Sequence, residues 1–147
     1  MSIRALRRED AENVTKILRE SAEAADWSAE SLKDSLGWAG VAALVCEADG
    51  KATGFVMGRQ VGDEAEILNL AVTPARRRKG QGGALLEEVL MEFVARRVSR
   101  VFLEVRESNQ TGIAFYLKHG FSKTGRRPGY YREPEEAAIV MEKKLAG

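Results

Sequence analysis

Apolar residues recur along this chain in two periods, and the switches between them mark out its elements. Ile3, Ala5 and Leu6 predict a short first strand that ends at Arg7-Arg8. Ala11, Val14, Ile17, Leu18 and Ala22 then fall at helical spacing, with Glu9 and Asp10 where a helix N-terminus favours negative charge. Ser28 is suited to cap a second, shorter helix, with Trp27 and Leu32 as a hydrophobic staple and Gly37 and Gly40 bracketing its end. Val41 to Glu47 is an apolar run of strand length, Asp49-Gly50 is a hairpin turn, and Ala52 to Val61 returns as the partner strand. Gly62-Asp63 turns the chain into a third strand, Glu64 to Thr73, which Pro74 ends because it has no N–H for the ladder.

The second half begins with the clearest helix. Leu85, Leu86, Val89, Leu90, Phe93 and Val94 form one stripe, with Glu87, Glu88, Glu92 and Arg96 outside it. Val101 to Val105 is a strand, and Asn109 caps a helix running to Lys118 with Gly120 at its C′ position. Phe121 to Gly125 and Ala137 to Lys143 are the last two strands, joined by a loop that holds Pro128, Gly129, Tyr130, Tyr131 and Pro134. The order β-α-α-β-β-β-α-β-α-β-β predicts an α/β domain whose helices flank a mixed sheet.

Composition narrows the function classes. The 147 residues suit a single domain spanning 1–147 that can bury a core without disulfides or metal. A net charge of +1 gives no global pull on nucleic acid or membranes. Cys46, in an apolar strand, is expected to be a small core residue, and with His119 it is too little to hold a transition metal, so no metal site is expected. His119, near a helix end, is expected to face solvent. The N-terminus has no apolar stretch of signal-peptide length, and the longest apolar run, Val41 to Cys46, is far short of a membrane span. A cytoplasmic location is expected, with neither nucleic acid nor membrane as partner.

Chemistry concentrates between Leu70 and Leu86. A strand stops at Pro74, the cations Arg76, Arg77, Arg78 and Lys79 follow, and Gly80-Gln81-Gly82-Gly83 opens a helix. Glycines let backbone N–H groups approach a ligand, and the first N–H groups of a helix lack internal partners at the positive end of its dipole. That combination suits phosphate, although a strand-to-helix connection with solvated arginines would look the same. It is not a Walker loop, because Gly82-Gly83 runs into Ala84-Leu85 rather than Lys-Ser/Thr, nor a dinucleotide fingerprint, because Leu85 stands where a third small residue belongs.

Further along, Glu104 lies inside an apolar strand, where a carboxylate is either on a half-exposed face with Phe102 and Arg106 or held for chemistry. Phe115 and Tyr116 are adjacent on a helix and so point in different directions, which leaves a phenol free to face a cleft or the core. Asn109 is accounted for by its capping role. Tyr130 and Tyr131, flanked by Arg126, Arg127 and Arg132, form an aromatic, basic segment suited to a polar partner or to packing on the surface.

These motifs together resemble the GNAT superfamily of N-acetyltransferases. Arg77-x-x-Gly80-x-Gly82 matches its Arg/Gln-x-x-Gly-x-Gly/Ala loop, and Asn69 to Pro74, Leu103 to Asn109 and Phe115-Tyr116-x-x-x-Gly120-Phe121 follow in family order. Trp27-Ser28, Arg126-Arg127-x-x-Tyr130-Tyr131 and Ala138 to Met141 resemble the ribosomal-protein-alanine N-acetyltransferase (RimI-like) branch. The resemblance implies a GNAT-like, mostly antiparallel sheet, with acetyl-CoA as acetyl donor and no metal. It implies that the backbone of Leu70, Ala71 and Val72 pairs with the pantetheine arm. Arg77, Arg78, Lys79, Gly80, Gln81, Gly82 and Gly83 would hold the pyrophosphate, and Asn109 would touch the cofactor further along. Glu104 would be general base and Tyr116 general acid, while Trp27, Tyr130 and Tyr131 would flank the acceptor.

The acceptor implied is a protein N-terminus, that of an alanine-starting ribosomal protein, with the enzyme a monomer or weak dimer. Three positions depart from the pattern: Gly112 stands for Ala, Asp26 for Pro, and Ala137 for an acidic residue. A lysine or small-molecule acetyltransferase on the same fold, and a non-catalytic CoA-binding module, remain alternatives. A nucleic-acid module fits less well, because the basic cluster is short and lacks interleaved aromatics.

Overall fold

A computed structural model describes residues 1–21, 27–77 and 80–145. Among these residues the chain runs β1 (Ser2–Ala5), α1 (Ala11–Arg19), α2 (Ala29–Ser35), β2 (Val41–Ala48), β3 (Lys51–Val61) and β4 (Glu64–Val72), then α3 (Gln81–Ala95), β5 (Arg100–Arg106), α4 (Gln110–Lys118), β6 (Ser122–Arg132) and β7 (Glu135–Lys144). Short 3-10 turns at Arg8–Asp10 and Pro74–Arg76 precede α1 and follow β4. The element order expected from sequence is the observed one. Ser28 caps α2 by accepting from the Ser31 N–H at 3.1 Å, and Asp49 (φ 53°) with Gly50 (φ 77°) makes the tight turn between β2 and β3.

All seven strands form one sheet in the order β1-β2-β3-β4-β5-β7-β6. Every neighbouring pair is antiparallel except β4 with β5, which α3 joins as a crossover. The sheet is covered on both sides. On one face Leu85, Leu86, Val89 and Phe93 of α3 pack with Ile113 of α4 onto Val56, Val101, Leu103 and Met141. On the other, Val14, Ile17 and Leu18 of α1 and Leu32 of α2 pack onto Val45, Phe55 and Met57. β3 therefore feeds both cores with consecutive residues, and its apolar run is nearly continuous for that reason. Each fully buried Phe or Leu contributes about 1.5–3 kcal/mol of transfer free energy.

One irregularity reshapes β4. Met57 faces Asn69 across the β3–β4 ladder, while Gly58 faces Ile67, so Leu68 is an extra residue. Before this bulge Ala65 and Ile67 point into the α3 core; after it Leu70 and Val72 do, and Ala71 joins the α1–α2 core with Leu68.

The segment expected to be a loop between the last two strands is instead mostly strand. β6 extends to Arg132, and its register slips between Arg127 and Tyr131. Pro128 and Gly129 fall in that slip on an edge strand, where a missing N–H breaks no ladder and Gly129 adopts φ 64°. At the other end of the chain, α1 stops at Arg19, and Ala22, which the helical spacing included, lies outside the described residues together with Asp26.

Candidate active site

β4 and β5 are paired only where they begin. Their parallel register covers Glu64 with Arg100, Ala65 with Val101 and Glu66 with Phe102, and no pairing follows. Beyond it β4 stays bonded to β3 as far as Val72, and β5 to β7 as far as Arg106. The two strands therefore part, and the β5-facing edge of β4 around Leu70, Ala71 and Val72 is left without a strand partner. Such an edge offers backbone donors and acceptors to another extended chain.

The N-terminus of α3 stands at the end of β4 where the strands have parted. Gly80 is its N-cap in the left-handed region (φ 81°), which a side chain would make strained, and no side chain caps the first turn. The N–H groups of Gln81, Gly82 and Gly83 are the unpartnered ones of a helix start. Gln81 is buried and accepts from Thr53 Oγ1 at 2.9 Å, which ties this turn to β3. Behind the turn, Phe115 lies 3.7 Å from where a Cβ on Gly82 would be, and the His119 ring lies 3.1 Å from one on Gly83. His119, expected to face solvent, is partly exposed and packs its ring against Phe115, with ring centroids 4.7 Å apart.

Of the four cations, two are described. Arg76 pairs with Asp49 at 3.0 Å. Arg77 turns its guanidinium onto the protein itself: Nε donates to Val72 O at 3.1 Å, and a terminal nitrogen donates to Glu20 O at 3.1 Å and Ser21 Oγ at 2.9 Å. Arg78 and Lys79, also expected to hold the pyrophosphate, lie outside the described residues. Asn109 caps α4 by accepting from the Gly112 N–H at 2.8 Å. A Cβ on Gly112 would come within 2.6 Å of the Asn109 side chain, which gives the glycine at this position a local reason.

Glu104 projects from β5 on the face opposite Leu103 and Val105, and its side chain is only 10% exposed. Arg127 of β6 donates to it at 3.0 Å. Arg127 in turn lies over the Tyr130 ring at 4.9 Å, and Tyr130 packs edge-on against Tyr131 at 5.1 Å. Arg106 lies over Tyr131 at 4.3 Å and is fixed by Glu136 and the Pro134 carbonyl. Burial pushes the Tyr131 phenol up to about 12, and the nearby Tyr130 and Glu104 push in the same direction. Tyr130 is likewise raised, by burial first and then by the Glu104 carboxylate it bonds.

Tyr116, on α4, packs edge-on against Phe115 and Phe121. Burial, and secondarily Tyr131, hold its phenol well above the usual tyrosine range. Glu104, Tyr130 and Tyr131 therefore form one cluster, and Tyr116 adjoins it through Tyr131. Trp27 packs partly buried against the α1–α2 core beside the Ser28 cap.

Glu66 and Arg127 also belong to this cluster. Glu66 faces the same side of the sheet as Glu104, one register step away across the parallel pair. Burial, and then the Glu104 charge, raise its carboxyl above the usual range. From the sequence Arg127 reads as part of the basic flank of Tyr130 and Tyr131 and of the Arg126-Arg127-x-x-Tyr130-Tyr131 resemblance, and nothing there ties it to Glu104. The alternation Glu64-Ala65-Glu66-Ile67 was the available signal for Glu66, but its neighbour is set by a pairing between distant segments. Cys46 is fully buried in the core, as its strand context suggested. Among the described residues no three His, Cys, Asp or Glu side chains group as metal ligands, and no helix is long and apolar enough to cross a membrane.

Parting parallel strands, with a helix N-terminus at one end and a carboxylate and phenols further along, make an arrangement suited to a long donor that carries phosphates. The chain belongs to the acetyltransferase (GNAT) family, whose sequence model matches residues 10–121, and whose members are N-acetyltransferases that use acetyl-CoA as acetyl donor. It is 41% identical over 95 residues to the [ribosomal protein bS18]-alanine N-acetyltransferase of Escherichia coli, a match covering 63% of this chain and a little under two thirds (64%) of that protein. The crystal structure of the Escherichia coli ribosomal-protein-S18-alanine N-acetyltransferase superposes with TM-score 0.88 at 32% identity, over 99% of this chain and 96% of that one. The PaiA N-acetyltransferase of Thermoplasma acidophilum, solved in complex with coenzyme A, superposes with TM-score 0.81 at 25% identity over 98% of each chain.

Proposed function

We propose that this chain transfers the acetyl group of acetyl-CoA to the N-terminal α-amine of a protein, an alanine-starting ribosomal protein, with Glu104 as general base and Tyr116 as general acid. The observation that carries the reading is the placement of Glu104, a nearly buried carboxylate on β5 where β4 and β5 part, within the Tyr130–Tyr131 cluster that Tyr116 adjoins. The names of the relatives that match most of the chain support the choice of acceptor.

The donor fits the residues present. Its pantetheine amides suit the free edge of β4 at Leu70 to Val72, and its pyrophosphate suits the N–H groups from Gly80 to Gly83, with Arg78 and Lys79 adjacent in sequence. Asn109 would lie along its course, with Arg77 setting the shape of the turn. When bound, the donor supplies a thioester carbonyl open to attack.

Glu104 takes a proton from the acceptor ammonium. The freed nitrogen lone pair forms the C–N bond, the C–S bond breaks, and Tyr116 protonates the departing sulfur. The second N–H proton leaves through solvent and Tyr116 is reprotonated, so one proton is released per turnover. An α-amine, with pKa of about 7.7–8.0, asks far less of a carboxylate base than a lysine at about 10.4. Tyr130 and Tyr131 would flank the incoming chain end, with Trp27 on the α1–α2 side.

The test is acetyl transfer onto short peptides with a free N-terminal Ala or Ser, against an N-blocked peptide bearing lysine, read by mass spectrometry. Transfer to the free N-terminus and a fall in kcat of about 10²–10⁴-fold for Glu104→Gln are expected. Equal transfer to the blocked lysine peptide refutes the acceptor, and unchanged turnover by Glu104→Gln refutes the base.

A further inference from the structure

Two carboxylates, Glu66 and Glu104, lie on one face where β4 and β5 begin to part, and they share a single guanidinium. Arg127 is committed to Glu104 at 3.0 Å. Among the described residues Glu66 has no hydrogen-bond or ion-pair partner. Its cross-strand neighbour on β3 is Arg59, but that guanidinium is turned away: Nε donates to Ala39 O at 3.2 Å, and the group lies over Trp38 at 5.3 Å. Glu66 is nonetheless reachable, because it lines a solvent-open cavity of about 270 Å³ with Trp38, Arg59, Leu68 and Phe102.

Arg127 offsets the Glu66 charge only from beside its bond to Glu104, and a half-buried carboxylate so weakly compensated is costly unless a further cation arrives. The reaction proposed above brings such a cation to this place: the acceptor amine, which is largely protonated when it binds.

The geometry points to Glu66 as a further acceptor-binding residue, which holds the incoming ammonium beside Glu104 so that the proton can be taken there. This assignment rests on the acetyl-transfer reading. It divides the work between the two strands. Glu104 on β5, held by Arg127, accepts the proton; Glu66 on β4 contributes a charge that attracts only an acceptor carrying one. Glu66 would thereby favour amines that are cationic at the working pH over neutral nucleophiles of the same shape. Its raised carboxyl agrees with the arrangement, since a bound ammonium would oppose both causes of that shift, burial and the neighbouring Glu104 charge.

The experiment compares wild type with Glu66→Gln on three acceptors: a peptide with a free α-amine, an N-blocked peptide bearing lysine, and the first peptide with its terminus replaced by an aminooxyacetyl group, which is neutral at the assay pH. Melting temperatures confirm that the isosteric variant is folded. For the α-amine, Glu66→Gln is expected to raise KM about 10-fold, the loss of one charge-assisted contact, with kcat changed less than about 2-fold. For the aminooxy peptide KM should not move.

An unchanged KM for the cationic amine overturns the assignment, as does an equal rise for the neutral acceptor. A collapse of kcat overturns it as well and would make Glu66 the base. If wild type acetylates only the lysine peptide, the N-terminal acceptor falls, while the KM ratio on that amine still decides the role of Glu66. Turnover of none of the three overturns both.

Discussion

Arg77→Ala separates two roles for the first arginine of the Arg77-x-x-Gly80-x-Gly82 loop, a contact to phosphate and a brace for the loop itself. The side chain donates to Val72 O at the end of β4 and to Glu20 O and Ser21 Oγ just past α1, so it ties the turn before α3 to two other elements. The bond to Val72 is partly buried, and losing it leaves a carbonyl short of a partner at a cost of about 1–1.5 kcal/mol. The other two are exposed and together add about 0.5 kcal/mol. A domain of this size loses about 2–4 °C of Tm per kcal/mol, so the variant should melt about 5 °C lower.

The assay is thermal denaturation with and without coenzyme A. If Arg77 is a brace, the ligand-free protein melts early but gains nearly the wild-type increment at saturating ligand, about 2.7 kcal/mol at 100 times Kd. A ligand-free Tm within about 1 °C of wild type, with the ligand-induced rise abolished, would refute the brace and make Arg77 a direct phosphate contact.

Two further outcomes follow from the cluster around Glu104. Tyr116→Phe removes only the hydroxyl and keeps the ring packing on Phe115 and Phe121, so kcat should fall about 10²-fold with Tm unchanged; an unaltered kcat would deny the phenol an acid role. Glu66 gives a pH signature in stability. Its folded carboxyl titrates above the unfolded reference of 4.5, so the folded state binds the proton more tightly. Stability is therefore lost as pH rises from the unfolded value through the folded one, and stays lost above it. The Tm of Glu66→Gln minus that of wild type should be smallest in acid and grow to a plateau above the folded value; a difference that grows toward acid would refute the desolvation of Glu66.

The sequence by itself determined what local chemistry can dictate. Apolar periodicity, with the caps and turns between, placed the four helices and seven strands of the described residues in order, because each element must turn an apolar stripe or face to a core. Ser28 and Asn109 marked two helix starts, and Asp49-Gly50 a turn, through side-chain oxygens and positive φ that act over three or four residues. The glycine run at Gly80 to Gly83 declared a helix start with exposed N–H groups for the same reason.

Only the tertiary structure decided where β4 and β5 stop pairing, since a register between residues 64–66 and 100–102 is fixed by packing across the whole sheet. The tertiary structure also turned the last loop into strand, because an edge position tolerates Pro128 in a bulge that periodicity reads as a break. The charge partners of the cluster were hidden on the same account. Glu66 and Arg127 are far from Glu104 along the chain, and each alone reads as an ordinary surface charge. The desolvation of Glu66 and its repulsion by Glu104 exist only once the strands have met.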